Sequence, residues 1–210
     1  MTDYSPAPNP FPSEPSPYWC RLRDYAWVIS FLWLIELSDK IIFGNNLELN
    51  GIHPRSFSGI PGFFFAPFLH SDWAHLLNNS LSLLILGAAI LLTGWRDLAI
   101  VSVVSALSAA VVVWIIGKGG SNHIGASSVV FGYFGFLIAS GFYQKTPLTI
   151  LLAVLVIFFY GGAILAILPT ADVRAASISW EGHLGGAIGG FLVARNRRLK
   201  LASFSNFAPR

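Results

Sequence analysis

Four stretches of about twenty residues contain no aspartate, glutamate, lysine or arginine, and they limit what this chain can fold into. They are 74–94, 98–117, 124–143 and 148–168. A helix needs about 20 apolar residues to cross the hydrocarbon of a bilayer. The composition agrees, because 54% of the residues are hydrophobic and only 11% are charged, whereas soluble domains carry about 25%. The sequence therefore predicts an all-α membrane protein.

Two weaker stretches, 25–43 and 179–194, bring the number of predicted spans to six. The first carries charged residues at its end, and the last is short and rich in glycine. We therefore predict a six-transmembrane-helix bundle over residues 25–195. A disordered, proline-rich tail is expected over 1–24 and a basic tail over 196–210, both cytoplasmic. No cleavable signal peptide is expected at the N-terminus.

The lysines and arginines predict the orientation in the membrane. An even number of spans places both termini on one side. With cytoplasmic termini, nine of the thirteen lysines and arginines lie inside and four outside, in accord with the positive-inside rule. The outer four are Lys40, Arg55, Lys118 and Arg174. This topology, without a signal or transit peptide, favours a bacterial inner membrane.

Several other kinds of site are disfavoured by the residues present. Cys20 is the only cysteine, so neither an internal disulfide nor a multi-cysteine metal site is possible. His70 and His75 are not spaced as a helical zinc pair, and His70 is expected to form a hydrogen bond in a loop. Glu181 and His183 point to different sides of a helix, which disfavours a carboxylate partner for that imidazole. We expect no metal, no cofactor and no nucleic-acid partner, with the bilayer as the surroundings.

Polar side chains inside the spans indicate chemistry, because burying them in a membrane is costly. His75 and Asn79 share one helix face at the start of the second span, Ser127 begins the fourth, and His183 begins the sixth. Even-numbered spans all run from outside to inside, so these residues lie at one depth near the outer face. A hydroxyl, an imidazole and additional hydrogen-bond donors are the groups that acyl transfer requires.

Small residues predict how the serine and the imidazole come together. Gly186 and Gly190 form a GxxxG pattern directly after His183, and Ser128 and Gly132 form a small face on the fourth span. Such patterns allow two helix backbones to approach closely. We therefore expect the fourth and sixth helices to be in direct contact.

Three motifs resemble those of the rhomboid intramembrane serine proteases. They are HSDWAHLLNN at 70–79, GASSVVFG at 125–132 and GHLGGAIGG at 182–190, in the order and on the spans that the family has. The stretch 54–70 also resembles the loop before the second span in bacterial members. The resemblance covers about residues 25–195 and implies a six-helix rhomboid-like fold with intramembrane proteolysis.

The resemblance also implies a role for individual residues. Ser127 matches the nucleophile of a Ser-His dyad, and His183 matches its base. His75 and Asn79 match the pair that holds the oxyanion, together with the backbone N–H of Ser127. Gly125 matches the close backbone approach just before the nucleophile.

Two positions differ from the usual family pattern. Ser128 stands where the family usually has glycine, and we expect the extra hydroxymethyl group to be tolerated. Phe131 stands where the family often has a tyrosine that packs on the catalytic imidazole. These two differences are the only sequence features that favour a catalytically inactive relative.

The sequence thus predicts a serine endopeptidase that cleaves membrane-anchored, single-span proteins near the outer membrane face. One alternative is an inactive rhomboid-like protein that binds membrane helices. Another is a channel or transporter lined by His75, Asn79 and His183. The absence of an internal repeat and the lack of charge in spans two to five disfavour the transporter.

Overall fold

Long helices account for most of the chain in the computed structural model, which describes residues 17–170, 172–173 and 178–205. The α-helices in chain order are α1 Pro17–Ser38, α2 Gly62–Phe65, α3 Trp73–Leu91, α4 Trp95–Ile116, α5 Ser127–Gln144, α6 Pro147–Tyr160 and α7 Trp180–Ser205. These described ranges contain no β-strand, only an isolated antiparallel bridge between Ile52 and His123. The all-α prediction is confirmed for them.

The six long helices, α1 and α3 to α7, correspond to the six predicted spans. Helices α3 and α4 are each long and apolar enough to cross a membrane, and so is α6 with its 3₁₀ continuation Gly161–Ile167. The predicted polytopic six-helix bundle is confirmed.

The ends of two helices differ from the predicted spans. Helix α1 begins at Pro17 rather than near Tyr25 and continues as a π-helical turn, Asp39–Phe43. Helix α7 extends past the predicted end of the sixth span to Ser205. Backbone helices continue into charged segments that hydropathy does not mark as membrane-spanning. Residues 1–16 and 206–210, within the predicted tails, lie outside the described residues, and the division into core and tails stays a prediction.

Specific caps fix where the site-bearing helices begin. The Asp72 side chain accepts a hydrogen bond of 2.8 Å from the His75 backbone N–H and so caps α3. Gly125, at φ +113°, turns the chain into α5 in a conformation that residues with a Cβ rarely adopt. Its N–H donates to the Ala66 carbonyl oxygen at 2.8 Å, which holds the turn against the preceding loop.

The connection between α1 and α3 is a folded loop that does not span. It contains α2 and three short 3₁₀ helices, Leu47–Asn50, Phe57–Gly59 and Ala66–Phe68. The side chains of Phe57, Phe64 and Phe65 are exposed on its surface. Exposed aromatic rings on a segment too short to span fit a position at the membrane interface.

Helix α7 is held between α4 and α5 by glycines on two of its faces. Gly186 lies against the Ser128 carbonyl and Gly190 against the Gly132 carbonyl, both on α5. On the other face, a Cβ at Gly185 would lie only 2.6 Å from the α carbon of Ala109 in α4. Only glycine permits this backbone spacing. The predicted contact between the fourth and sixth helices is present.

An ion pair joins α4 and α7 at the opposite end of the bundle from the polar cluster. The Asp97 carboxylate, near the start of α4, lies 2.7 Å from a guanidinium nitrogen of Arg197, late in α7. Helix α7 is therefore fixed at both ends, by the glycine contacts near its start and by this pair near its finish.

Candidate active site

Ser127 and His183 are in direct contact. Ser127 is the first residue of α5, and His183 lies in the first turn of α7. The Nε2 atom of His183 is 3.0 Å from the Ser127 Oγ. The other ring nitrogen, Nδ1, is 3.1 Å from the Ala166 carbonyl oxygen, which can only accept a hydrogen bond. The neutral ring therefore carries its proton on Nδ1, and Nε2 is free to accept the proton of the serine hydroxyl.

Phe131 fixes the plane of the His183 ring. The two rings are stacked, with centroids 4.1 Å apart and planes inclined by 14°. Phe131 lies one helical turn after Ser127, so the same face of α5 presents the hydroxyl and supports the imidazole. The stacking uses the ring alone, and therefore a tyrosine hydroxyl is not needed for it.

His75 and Asn79 lie over the backbone just before the nucleophile. A Cβ at Gly125 would lie 2.7 Å from the His75 Nε2 and 3.5 Å from the Asn79 Nδ2, so a side chain at Gly125 would displace the imidazole. Asn79 is buried, and its Nδ2 donates to no acceptor among the described residues. A buried donor without an acceptor costs about 1–3 kcal/mol, which makes this amide a candidate for binding a negatively charged oxygen.

The proton on His75 is controlled by Ser71. The Ser71 hydroxyl donates to the Asp72 carboxylate at 2.9 Å, and the His75 Nδ1 lies 3.2 Å from the same hydroxyl oxygen. Because that hydroxyl proton is already used, Nδ1 must be the donor to Ser71. A neutral His75 then has no proton on Nε2, and only its imidazolium form donates there. The His75 backbone N–H also holds the pKa of the Asp72 carboxyl below its usual range.

His70 supports the turn that precedes the nucleophile. It is 1% exposed, and its Nε2 accepts a hydrogen bond of 3.4 Å from the Ala126 N–H. Its ring meets the His75 ring edge-on, with centroids 5.1 Å apart. Burial lowers the pKa of His70 to about 4, so the ring is neutral at pH 7. The sequence predicted a hydrogen bond in a loop, but nothing in it identified Ala126 as the partner.

The polar residues open into one cavity of about 1310 Å³. Ser127, His183, His75 and Asn79 all line it, and Glu181 lies at its wall. The His183 Nδ1 is hydrogen-bonded to the Ala166 carbonyl oxygen, so Glu181 is not its partner. Among the residues that the structure describes, no group of three histidines, cysteines or acidic residues could bind a metal ion.

Comparison with known proteins agrees with this geometry. The Rhomboid domain family matches residues 59–198. This chain is a rhomboid. It is 35% identical over 171 residues to uncharacterized proteins of Mycobacterium tuberculosis and Mycobacterium bovis, covering 79% of this chain and 70% of each relative. An uncharacterized protein of Mycobacterium leprae is also 35% identical, over 79% of this chain and 67% of its own.

Family membership confirms the resemblance that the three motifs indicated. Rhomboids are generally intramembrane serine proteases, and the family also includes inactive members. In this rhomboid the residues with predicted roles surround the contact between α5 and the start of α7. They are Ser127, His183, His75, Asn79, Gly125, Phe131, Gly186 and Gly190.

Proposed function

We propose that this rhomboid is a serine endopeptidase that hydrolyses peptide bonds within the membrane, with Ser127 as nucleophile and His183 as base. The contact of 3.0 Å between the Ser127 Oγ and the His183 Nε2 carries the proposal. The Ala166 carbonyl and the Phe131 ring fix the tautomer and the plane of the imidazole. A neutral imidazole held in this way accepts the hydroxyl proton as the oxygen attacks a carbonyl carbon.

The negative charge on the attacked carbonyl oxygen is stabilised by the Asn79 amide and the backbone N–H of Ser127. Asn79 contributes a buried donor with no other acceptor among the described residues. Ser127 is the first residue of α5, where backbone N–H groups have no partner within the helix and the helix dipole favours negative charge. His75 adds a further donor once its ring is protonated.

The remaining steps follow from the same two residues. Protonated His183 gives its proton to the departing amine nitrogen, which leaves an ester between the substrate and Ser127. A water molecule then loses a proton to His183 and attacks this ester, and collapse of the intermediate restores both side chains. With cytoplasmic termini, as we propose, this cavity would admit the water from the outer face.

The substrates that fit this site are single-span membrane proteins with a weak helix near the outer face. An intact membrane helix uses all its carbonyl oxygens in hydrogen bonds, so a scissile bond must first leave the helix. Glycine and proline make this unwinding easier. The positive-inside rule supports cytoplasmic termini, and the mycobacterial relatives support a bacterial cell membrane.

Cleavage of defined substrates in liposomes tests the proposal. The purified rhomboid is reconstituted with a single-span test substrate that has a Gly-Pro segment near its outer end, and with a matched substrate that has leucines there. We expect the first to be cleaved near this segment and the second to remain intact. Ser127→Ala and His183→Ala should each abolish the cleavage. Substrate binding without cleavage by the unaltered protein would instead identify an inactive, helix-binding rhomboid.

A further inference from the structure

His123 connects the two segments that precede the candidate dyad residues. It lies four residues before Ser127, and Ser179 lies four residues before His183. The His123 Nδ1 and the Ser179 Oγ are 2.6 Å apart. A hydrogen bond between side chains therefore joins the loop that leads into α5 to the residue that precedes α7.

The hydrogen bonds around His123 have a defined direction. The Ser121 hydroxyl donates to the Lys118 carbonyl oxygen, so its oxygen accepts from the His123 Nε2 at 2.7 Å. A neutral ring with its proton on Nε2 must accept at Nδ1, and the Ser179 hydroxyl is the donor there. The Ser179 oxygen in turn accepts the Gly182 N–H at 3.3 Å. This arrangement satisfies every group in the chain of hydrogen bonds when the imidazole is neutral.

Both ends of this connection are fixed to the backbone. The N–H and carbonyl of His123 pair with those of Ile52, at 3.1 and 3.0 Å. At the other end, the Ser179 carbonyl oxygen accepts the His183 N–H at 3.0 Å. The imidazole therefore links an anchored segment of the outer loops to the turn that carries the candidate base.

We propose that neutral His123 is a positioning residue that holds the start of α7, and with it His183, within reach of Ser127. The inference rests on the proposed function, and it assigns a role to a residue outside the reacting groups. Protonation of His123 would direct an N–H of Nδ1 at the Ser179 oxygen and take away the acceptor of the Ser179 hydroxyl proton. It would also place a charge in a partly buried site. The hydrogen bond between His123 and Ser179 is therefore strongest above the pH at which His123 titrates.

The surroundings of His123 oppose its protonation. Burial lowers the pKa of His123 below the ordinary value for histidine, and electrostatic repulsion from nearby His53 lowers it further. The charged or titratable residues on the segments near His123 are Glu48, His53, Arg55, Lys118, Glu181 and His183.

Replacement of Ser179 by aspartate reverses the direction of the hydrogen bond at the His123 Nδ1. That nitrogen accepts from the serine hydroxyl, but it would have to donate to a carboxylate. A carboxylate at position 179 can still accept the Gly182 N–H, but it can only accept from His123, so it favours the protonated ring. In Ser179→Asp the connection should therefore strengthen as the pH falls. In the unaltered protein it should weaken over the same range.

The test measures the melting temperature and the rate of fluorophosphonate labelling of Ser127 in detergent, between pH 8 and 5. For Ser179→Asp, we compare each quantity with that of the unaltered protein at the same pH, as a difference in melting temperature and a ratio of labelling rates. We expect both the difference and the ratio to rise as the pH falls. Comparing the two proteins at each pH removes the titration of His70, which both proteins share. His123→Phe should slow labelling by about tenfold or more at pH 7.5, because the His183 imidazole is then no longer held within reach of Ser127. His53→Phe, a matched histidine replacement in the partner segment, should label at close to the unaltered rate.

The outcomes separate this inference from the proposed function. The role of His123 would be overturned if Ser179→Asp and the unaltered protein showed the same pH dependence of labelling and melting temperature between pH 8 and 5. Unchanged labelling of His123→Phe would also overturn it. If Ser127 in the unaltered protein is not labelled at all, the dyad itself is wrong. The pH dependence of the melting temperature then still decides whether the connection between His123 and Ser179 exists.

Discussion

Replacing Gly186 by alanine should separate α7 from α5 and disable the candidate dyad. The added Cβ would overlap the carbonyl oxygen of Ser128 and lie 3.2 Å from the Ser128 α carbon. Both groups belong to the α5 backbone and cannot rotate away. The overlap can be relieved only if the helices move apart, because non-bonded carbon atoms prefer separations of about 3.5–4.0 Å.

The expected magnitude follows from the dyad distance. The Ser127 Oγ and the His183 Nε2 are 3.0 Å apart, so a helix displacement of about 1 Å takes these atoms beyond hydrogen-bond distance. A misplacement of this size costs about 100-fold in rate. Overpacking a helix contact costs about 1–3 kcal/mol of stability, which lowers the melting temperature of a chain of this size by several degrees.

Two other glycines provide matched controls. Gly162 has open space where a Cβ would be, so Gly162→Ala should label and melt like the unaltered protein. In Gly185→Ala the new Cβ would instead lie 2.6 Å from the Ala109 α carbon, on the α4 side of the same helix. This variant should lose similar stability but retain more labelling than Gly186→Ala.

The assay compares the rate of fluorophosphonate labelling of Ser127 with the melting temperature for each variant. Labelling of Gly186→Ala at the unaltered rate would refute the reasoning. Equal losses of labelling in Gly185→Ala and Gly186→Ala, at equal losses of melting temperature, would also refute it. Labelling would then follow stability in general and not the contact between α5 and α7.

Three further predictions concern side chains around the dyad. Asn79→Ala should lower kcat for the cleaved liposome substrate by about 10²–10³-fold, as expected for loss of an oxyanion donor; a change in KM alone would contradict this role. Phe131→Tyr should retain activity within about threefold, and Phe131→Ala should lose about 3–10-fold with the stacked ring. The pKa of His70 is about 4 in the folded protein and about 6.5 in the unfolded chain, so the unfolded chain binds the proton first as the pH falls. Acidification from about pH 6.5 to 4 should therefore lower the free energy of unfolding by about 3 kcal/mol. His70→Asn should flatten this part of a plot of melting temperature against pH.

The sequence predicted most of the helices well because membrane burial leaves a strong signal in the sequence. Stretches without charge mark membrane helices by the cost of burying an ion. This signal located α3 to α5, and α6 together with its 3₁₀ continuation, to within a few residues. It did not predict the start of α1, since hydropathy rises only near Tyr25 whereas the helical backbone begins at Pro17. Helix formation and membrane burial are separate properties, and only the second leaves a clear trace in composition.

Those residues of the candidate site that lie in local sequence motifs could be predicted from the sequence. Ser127 and His183 are marked by glycine patterns, and those same glycines set the spacing of α5 and α7. His123 has no such pattern, because its role depends on pairing with Ile52 and Ser179, which are distant in sequence. The protonation of His75 likewise depends on the orientation of one serine hydroxyl, which residue identities do not specify.

Reaction with a fluorophosphonate probe, mapped by mass spectrometry on the purified protein in detergent, tests the central claim most directly. A rhomboid of known activity is labelled in parallel, and folding is checked by the melting temperature. The account predicts an adduct on Ser127 that is absent from Ser127→Ala and His183→Ala and is retained in Ser128→Ala. An adduct on Ser128, or no adduct in folded protein while the reference rhomboid reacts, would contradict it.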